Sequence, residues 1–475
     1  MFSSRKILLS MLGLAGFVGI ALPPFSPSVL AKAEKKSTTA AQAATKPVAL
    51  GEAKKKNKKG KAPAESRNQL TREEGRKLTH YNFEIPSELR PAVDFWKLVY
   101  SKYDRRQEIF HDTQNLKIIY SVLDFSDLYV SPLSDTERRN LRRTRIDAEK
   151  ERIRAILLRL GQGGFQEADL SAEEKRIARL FQDDPNPGKF LEAADADRIR
   201  SQTGIQDKFI AGLKNCGEYI EEIEEIFSSH GVPTEITRLV FVESMFNTKV
   251  RSKVGASGIW QFMPATGKLF LNIDAVADER DDPIYASHAA ARLLRDNYAA
   301  LGTWPLAINA YNSGRATMSR AVAAMGGKNI ATIILNYRGG VYGFASRNFF
   351  PSFLAALEVA NHYPKYFGDL KMKPKLQYEY YTPRNAVFFG QLASLAGAEP
   401  SRIAKLNPHF SEGVLADLKK VPAGYRLRIP QGSQARFAQA EDRLLSGVAN
   451  ALPARGAEKL RPVDGESLDL AENPL

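Results

Sequence analysis

A glutamate set in an apolar stripe is the residue of this chain with the plainest chemical meaning. Pro233 can open a helix at its first position, where its missing N–H costs nothing, and apolar side chains follow at Ile236, Leu239 and Val240. The next place on that stripe is Glu243. A carboxyl group facing a core loses the water around its charged form, so its pKa rises and it holds a proton near neutrality, as a general acid requires. The other reading is a helix-end glutamate bonded to backbone or to an arginine such as Arg238 or Arg251. Downstream, the run from Ser252 to Gly258 (S-K-V-G-A-S-G) forms a loop that lets backbone pass close to a ligand, and Gln261 is polar among apolar neighbours before Pro264. Later a helical segment, W-P-L-A-I-N-A-Y-N-S-G from Trp304 to Gly314, ends in Tyr311-Asn312 beside a turn.

These pieces resemble the catalytic domain of family 1 lytic transglycosylases, a goose-lysozyme-like fold that cleaves bacterial peptidoglycan. The resemblance is carried by Glu243-Ser244, Ser252, the G-A-S-G-I-W-Q block ending at Gln261, the M-P-A-T turn from Met263 to Thr266, and Ala310-Tyr311-Asn312. Five motifs in the right order within about 70 residues are a specific signal. The resemblance implies Glu243 as the single catalytic residue, with Ser252, Gln261, Met263, Tyr311 and Asn312 contacting substrate. It implies cleavage of the β-1,4 bond between N-acetylmuramic acid and N-acetylglucosamine with formation of a 1,6-anhydro ring, and no cofactor. One departure stands out. Where the family has a tyrosine before a proline in its last motif, this chain has Asn348-Phe349-Phe350-Pro351, so a phenolic donor near the acid is missing unless Tyr342 or Tyr311 replaces it. Two other functions stay open: a hydrolytic muramidase using Asp278, Asp281 or Asp282 as a second carboxylate, and a non-catalytic scaffold that binds peptidoglycan. The acidic run is also explained as capping of a helix opened by Asp282-Pro283.

The elements that must position these residues read as mainly α. Residues 66–229 are expected to form a helical N-terminal region, with segments Leu116–Leu123, Arg138–Leu160 and Ile205–Phe227 at three-to-four spacing and the arginines of 138–154 on a solvated face. Residues 230–370 read as helix throughout and form the lysozyme-like catalytic domain. Residues 378–430 change character: a strand at Tyr378–Tyr381, helices at Asn385–Leu395 and Pro400–Asn407, and a strand at Tyr425–Ile429. This order, with I-A-K-L-N-P (Ile403–Pro408) and V-P-A-G-Y-R-L-R-I-P (Val421–Pro430), resembles a LysM module, which binds N-acetylglucosamine-containing glycans. The family's early G-D-T-L is replaced by Pro383–Ala386, so only weak glycan binding is expected. Residues 431–475 read as a short helix followed by a disordered tail.

Composition narrows the setting. Arg5-Lys6, the apolar run Ile7–Leu22 and a small-residue site near Ala31 read as a secretory signal peptide over residues 1–31, since 16 apolar residues fall short of the ~20 that span a bilayer. No cysteine lies near the cut, so an exported, periplasmic or envelope protein without a lipid anchor is expected. The net charge of +14 is mostly local: residues 32–62 hold ten lysines and two glutamates, leaving +4 over residues 63–475. The 32–65 segment is thus a Lys/Ala-rich linker, expected to be disordered, suited to contact with anionic membrane or wall polymer and not to nucleic acid. Cys216 is the only cysteine and the six histidines show no metal-ligand spacing, so no metal is implied. Ser257 lacks the final glycine of a G-x-S-x-G elbow.

Overall fold

Leu89, Val93, Trp96 and Tyr100 recur every three to four residues, and in the computed structural model, which describes residues 79–447, helix α1 (Arg90–Ser101) buries that stripe. The chain then turns into a three-stranded antiparallel sheet, β1 (Gln107–Asp112), β2 (Ile119–Asp124) and β3 (Ile199–Thr203), in the order β2-β1-β3. Between β2 and β3 run α2 (Asp135–Gln162), opened by a Ser134–Glu137 capping box, and α3 (Ala172–Leu180).

The sheet corrects the helical reading of 66–229: Leu116–Leu123 lies largely in β2, with Ile109 opposite Val122 and Gln202. Central β1 buries Glu108, His111 and Asp112, which long-range arginines make tolerable. Arg142 Nη2 reaches Glu108 Oε2 at 2.7 Å and Arg198 Nη2 reaches Asp112 Oδ2 at 2.7 Å. Arg142 therefore leaves the solvated face expected for it. Ile205–Phe227 divides into α4 (Gln206–Cys216) and α5 (Ile220–Ser229), and at the break a Cβ on Gly217 would sit 2.2 Å from the Lys373 carbonyl oxygen.

Pro233 is the cap of a 3₁₀ turn (Thr234–Arg238) and not a first helical residue; α6 (Leu239–Glu243) follows directly. Then come α7 (Pro283–Leu301), α8 (Trp304–Ser313) and α9 (Phe344–Asn361). One continuous core joins Val93 and Trp96 of α1, Phe209 of α4, Phe227 of α5, Phe241 of α6, Trp260, Leu294, Ile308 and Phe353, so it does not stop at residue 230. A smaller core joins Phe110 and Tyr120 of the sheet to Ile153 and Leu157 of α2. The helix-throughout reading of 230–370 fails between Ser244 and Met263. There the backbone forms turns and the isolated bridges Arg251↔Ser257 and Ser257↔Phe262.

At the C-terminal end β4 (Tyr378–Tyr381), β5 (Val387–Phe388), α10 (Phe389–Leu395), α11 (Pro400–Leu406), β6 (Lys420–Val421), β7 (Leu427–Pro430) and α12 (Gln434–Leu445) enclose a third core. β4 pairs antiparallel with β7 and β5 with β6. The first helix starts at Phe389, later than expected, because Val387 and Phe388 are paired with Val421 and Lys420. The Pro383–Ala386 turn is covered by α12: the Asn385 amide donates to the buried Glu441 at 2.8 Å, and Arg384 Nη2 bonds Asp442 at 2.5 Å. This module also takes Ala277 into its core, while the Asp278 amide donates to the His409 carbonyl at 2.8 Å and the Ser411 amide to the Val276 carbonyl at 2.9 Å. The leader, the linker and the tail fall outside the described residues. Among the described residues no helix is long and apolar enough to cross a membrane.

Candidate active site

Glu243 is the last residue of α6, and the chain leaves it by an unusual route. Met245 and Phe246 both have φ of +52°, a left-handed conformation that costs roughly 1–2 kcal/mol per residue for side chains of this kind. Burial of both side chains and the Ser244 hydroxyl, which donates to the Ile259 carbonyl at 2.8 Å, hold the turn. Its effect is to end the helix abruptly and bring the 250–262 backbone up to the glutamate.

The arginines that would explain Glu243 away are used elsewhere. Arg238 bonds Glu224 and Asn361, and Arg251 bonds Asp281. Among the described residues no hydrogen bond or ion pair reaches the Glu243 carboxyl, and burial alone pushes it up from 4.5 to about 8. The residue keeps only partial exposure. It is a neutral, desolvated acid at pH 7.

The loop beside it is rigidly built. Gln261 takes a left-handed φ of +48°, and its Nε2 donates to the Gly258 carbonyl at 2.8 Å, leaving Oε1 free to accept. The Ser252 hydroxyl accepts from the Ala256 amide at 2.9 Å. Buried Arg280 fixes the loop from behind, donating to the carbonyls of Gly255 (2.8 Å) and Phe262 (3.0 Å) while pairing with Asp278 at 2.7 Å. Sequence reasoning missed Arg280, because nothing in D-E-R-D-D shows that the arginine turns inward. Gly258 lets that approach happen: its φ is +74°, and a Cβ there would lie 1.7 Å from the Arg280 carbonyl oxygen. Gly258→Ala is therefore expected to cost about 2 kcal/mol in urea unfolding and to depress activity with it. A loss under 0.5 kcal/mol would mean that the loop is free to move away from Arg280.

Tyr311 of α8 closes the other side. Its hydroxyl donates to the Trp260 carbonyl at 2.8 Å, and burial followed by the Glu243 charge holds the phenol well above its ordinary range. Asn312 is exposed at the rim, where its Oδ1 accepts from Ser346 at 3.0 Å. Met263 is also exposed, at the mouth of the loop. The 258–261 backbone thus takes bonds from Ser244, next to Glu243, from Gln261 and from Tyr311, with Ser252 and Met263 on the outer parts of the loop and Asn312 at the end of α8. Tyr342 is not among them, being tied to Asn309.

The acidic cluster has other work. Asp282 caps α7, accepting from the amides of Ile284 (3.0 Å) and Tyr285 (3.1 Å). Asp281, pushed up by burial, is bonded by Ser257 and Arg251; Asp278 is paired with Arg280. Glu279 accepts from the Asn272 amide at 2.8 Å and from Tyr425 at 3.1 Å. No member of the cluster is left as a free second carboxylate.

Residues 219–334 match the family described as "Transglycosylase SLT domain". The chain is 30% identical over 135 residues to the membrane-bound lytic murein transglycosylase D of Escherichia coli K12, covering 26% of this chain and 29% of that protein. It is 32% identical over 107 residues to a putative tributyltin chloride resistance protein of an Alteromonas species, covering 22% of this chain and 52% of the relative. Among solved structures it is similar to the 70 kDa soluble lytic transglycosylase of E. coli, at 17% identity and a TM-score of 0.26, over 50% of this chain and 47% of that one. The chain thus spans under a third of the first relative's length and about half of the second's. The stretch that matches the transglycosylase SLT domain, residues 219–334, is the one that holds Glu243, the 252–263 loop and Tyr311.

Proposed function

We propose that the protein is a peptidoglycan lytic transglycosylase in which Glu243 serves first as acid and then as base. The observation that carries this reading is the neutral, unpartnered, desolvated carboxyl of Glu243 beside a cluster of acids that are all engaged elsewhere. A hydrolase of the ordinary two-carboxylate kind needs a second group to act as nucleophile or to activate water. A lytic transglycosylase needs one. Glu243 gives its proton to the oxygen of the β-1,4 bond as that bond breaks from C1 of N-acetylmuramic acid, and the resulting carboxylate takes the proton of the C6 hydroxyl of the same sugar. That oxygen closes on C1, so the nucleophile is already within the substrate and no water enters.

The surrounding groups suit a glycan. Gln261 Oε1 and Asn312 Nδ2 offer one acceptor and one donor at the rim, and exposed Val254 and Met263 offer apolar faces for sugar rings. The C-terminal module is held by packing on the 274–282 stretch and its early turn is covered, which supports a structural role for it over wall anchoring. Because Glu243 must be protonated to begin the reaction, kcat/KM should fall above an apparent pKa near 8.

Mass spectrometry of sacculi digested with the mature protein tests the reading. Products lighter by one water than reducing ends, carrying 1,6-anhydro rings, are expected. Reducing N-acetylmuramic acid ends alone would assign a hydrolytic muramidase, and binding without products a scaffold.

A further inference from the structure

Arg347, in the first turn of α9, is half-buried, and among the described residues its guanidinium has neither a hydrogen bond nor a carboxylate partner. Its neighbours on both sides are fixed. Ser346 Oγ donates to Asn312 Oδ1 at 3.0 Å at the rim of the cleft, and Asn348 Oδ1 accepts from Trp96 Nε1 at 3.0 Å. A cation held in place, partly stripped of water and left without an anion is costly unless a ligand supplies one. Burial and then the Arg338 charge hold Arg347 below its ordinary range, where an arginine is still charged at neutral pH.

The side chain lines a cavity of about 430 Å³, open to solvent, whose other walls come from Gln114 in the turn after β1 and from Glu192, Asp195, Asp197 and Arg198 before β3. Two of these charges are spent within the fold. Arg198 pairs with Asp112 at 2.7 Å, and Glu192 accepts from Asn186 at 2.8 Å. Asp195 Oδ1 accepts from the Asp197 amide at 2.8 Å, which leaves its second oxygen and the Asp197 carboxylate without a partner among the described residues. The cavity thus offers a free guanidinium and free carboxylates together. A simple anion would meet the acids and a simple cation would meet Arg347, whereas a zwitterion satisfies both.

The proposed substrate carries such a group. The peptide stem on N-acetylmuramic acid has free carboxylates and, on its diamino acid, a free ammonium. Arg347 follows directly on the residue that touches Asn312, so a few extended stem residues, at about 3.3–3.6 Å each, cover the distance from a sugar at the rim. We propose that this cavity is a specificity site for the peptide stem, in which Arg347 takes a carboxylate and Asp195 and Asp197 take the ammonium of the diamino acid. The inference rests on the transglycosylase reading above and extends it from the glycan to the peptide. It gives the sheet region, which lies outside residues 219–334, a part in choosing substrate.

Two substrates test it with the full mature chain: glycan strands that keep their stems, and the same strands after the stems have been cut off at the lactyl amide. Wild type should cleave the first with kcat/KM about tenfold higher, through KM, as one charge-assisted bond to a partly desolvated arginine allows. Arg347→Met should bring that ratio to about one, and Asp197→Asn, at an exposed position, should lower it about threefold. Acetylating the stem amines should act on wild type as Asp197→Asn does. A wild-type ratio near one would overturn the proposal, and so would an Arg347→Met protein that loses activity equally on both substrates, which would make the arginine a structural residue. Calorimetry with the released stem peptide separates the inference from the reading beneath it. Peptide that binds wild type and not Arg347→Met, with no anhydro product from either strand, would keep the cavity and refute the transglycosylase reading. Anhydro products from both strands at equal rates, with no peptide bound, would keep that reading and refute the cavity.

Discussion

Glu243→Gln is expected to lower the proposed peptidoglycan turnover by about 10³-fold, because the amide keeps the shape of the side chain but has no acidic proton to give and no basic oxygen to take one back. The same substitution should stabilise the fold at neutral pH. With its folded pKa raised from 4.5 to about 8, Glu243 stays protonated in the folded chain where the unfolded chain has released the proton. The stability that this carboxyl allows is complete below pH 4.5 and is lost as pH rises through 8. Glutamine carries no such penalty, so the variant should match wild type near pH 4 and exceed it by about 2 kcal/mol at pH 7, after allowance for the partial exposure of the residue. Rates of anhydro-product release and urea unfolding at the two pH values check both statements. Residual turnover above about a tenth of wild type would place the acid elsewhere, and a variant less stable than wild type at pH 7 would show Glu243 to be ionised and paired.

Glu243 was legible because it interrupts an apolar stripe, and Gln261 because it is polar among residues that the core takes up. Asp282-Pro283 was legible as a cap, and both amides that it should satisfy are satisfied. These signals are local. The three-stranded sheet was not legible, since a short run such as Ile118-Ile119-Tyr120-Ser121-Val122 fits either a helix or a strand, and β1 buries charged residues whose partners lie far away in sequence. The site has the same division. Arg280 acts on the 250–262 loop from another element, and nothing in its run of charged neighbours announces burial. The left-handed pair Met245-Phe246 has no glycine to mark it, because the surrounding packing imposes that conformation on bulky residues.

Arg428→Met is expected to cost about 4 kcal/mol in urea unfolding of the full chain, the usual result of leaving one member of a buried ion pair alone. Asp282 is fully buried and receives Arg428 Nη2 and His409 Nδ1, the latter at 2.6 Å. Burial holds His409 down to about 4, so it is a neutral donor, and Arg428 is the charge that balances Asp282. Burial also lowers Arg428 to about 10, which leaves it charged at neutral pH. Asp282→Asn keeps the cap of α7 while removing the carboxylate, so the double variant with Arg428→Met should recover most of the loss, to within about 1 kcal/mol of wild type. The effect should reach the active site. Asp282 ends the same short stretch that carries Arg280, whose guanidinium fixes the Gly255 and Phe262 carbonyls, so a module released from Asp282 loosens the loop that faces Glu243. Arg428→Met should therefore reduce kcat several-fold, and the double variant should restore it. If Arg428→Met costs less than about 1 kcal/mol and turns over at the wild-type rate, the C-terminal module is only tethered to the catalytic core, and sacculus binding becomes the better account of its presence.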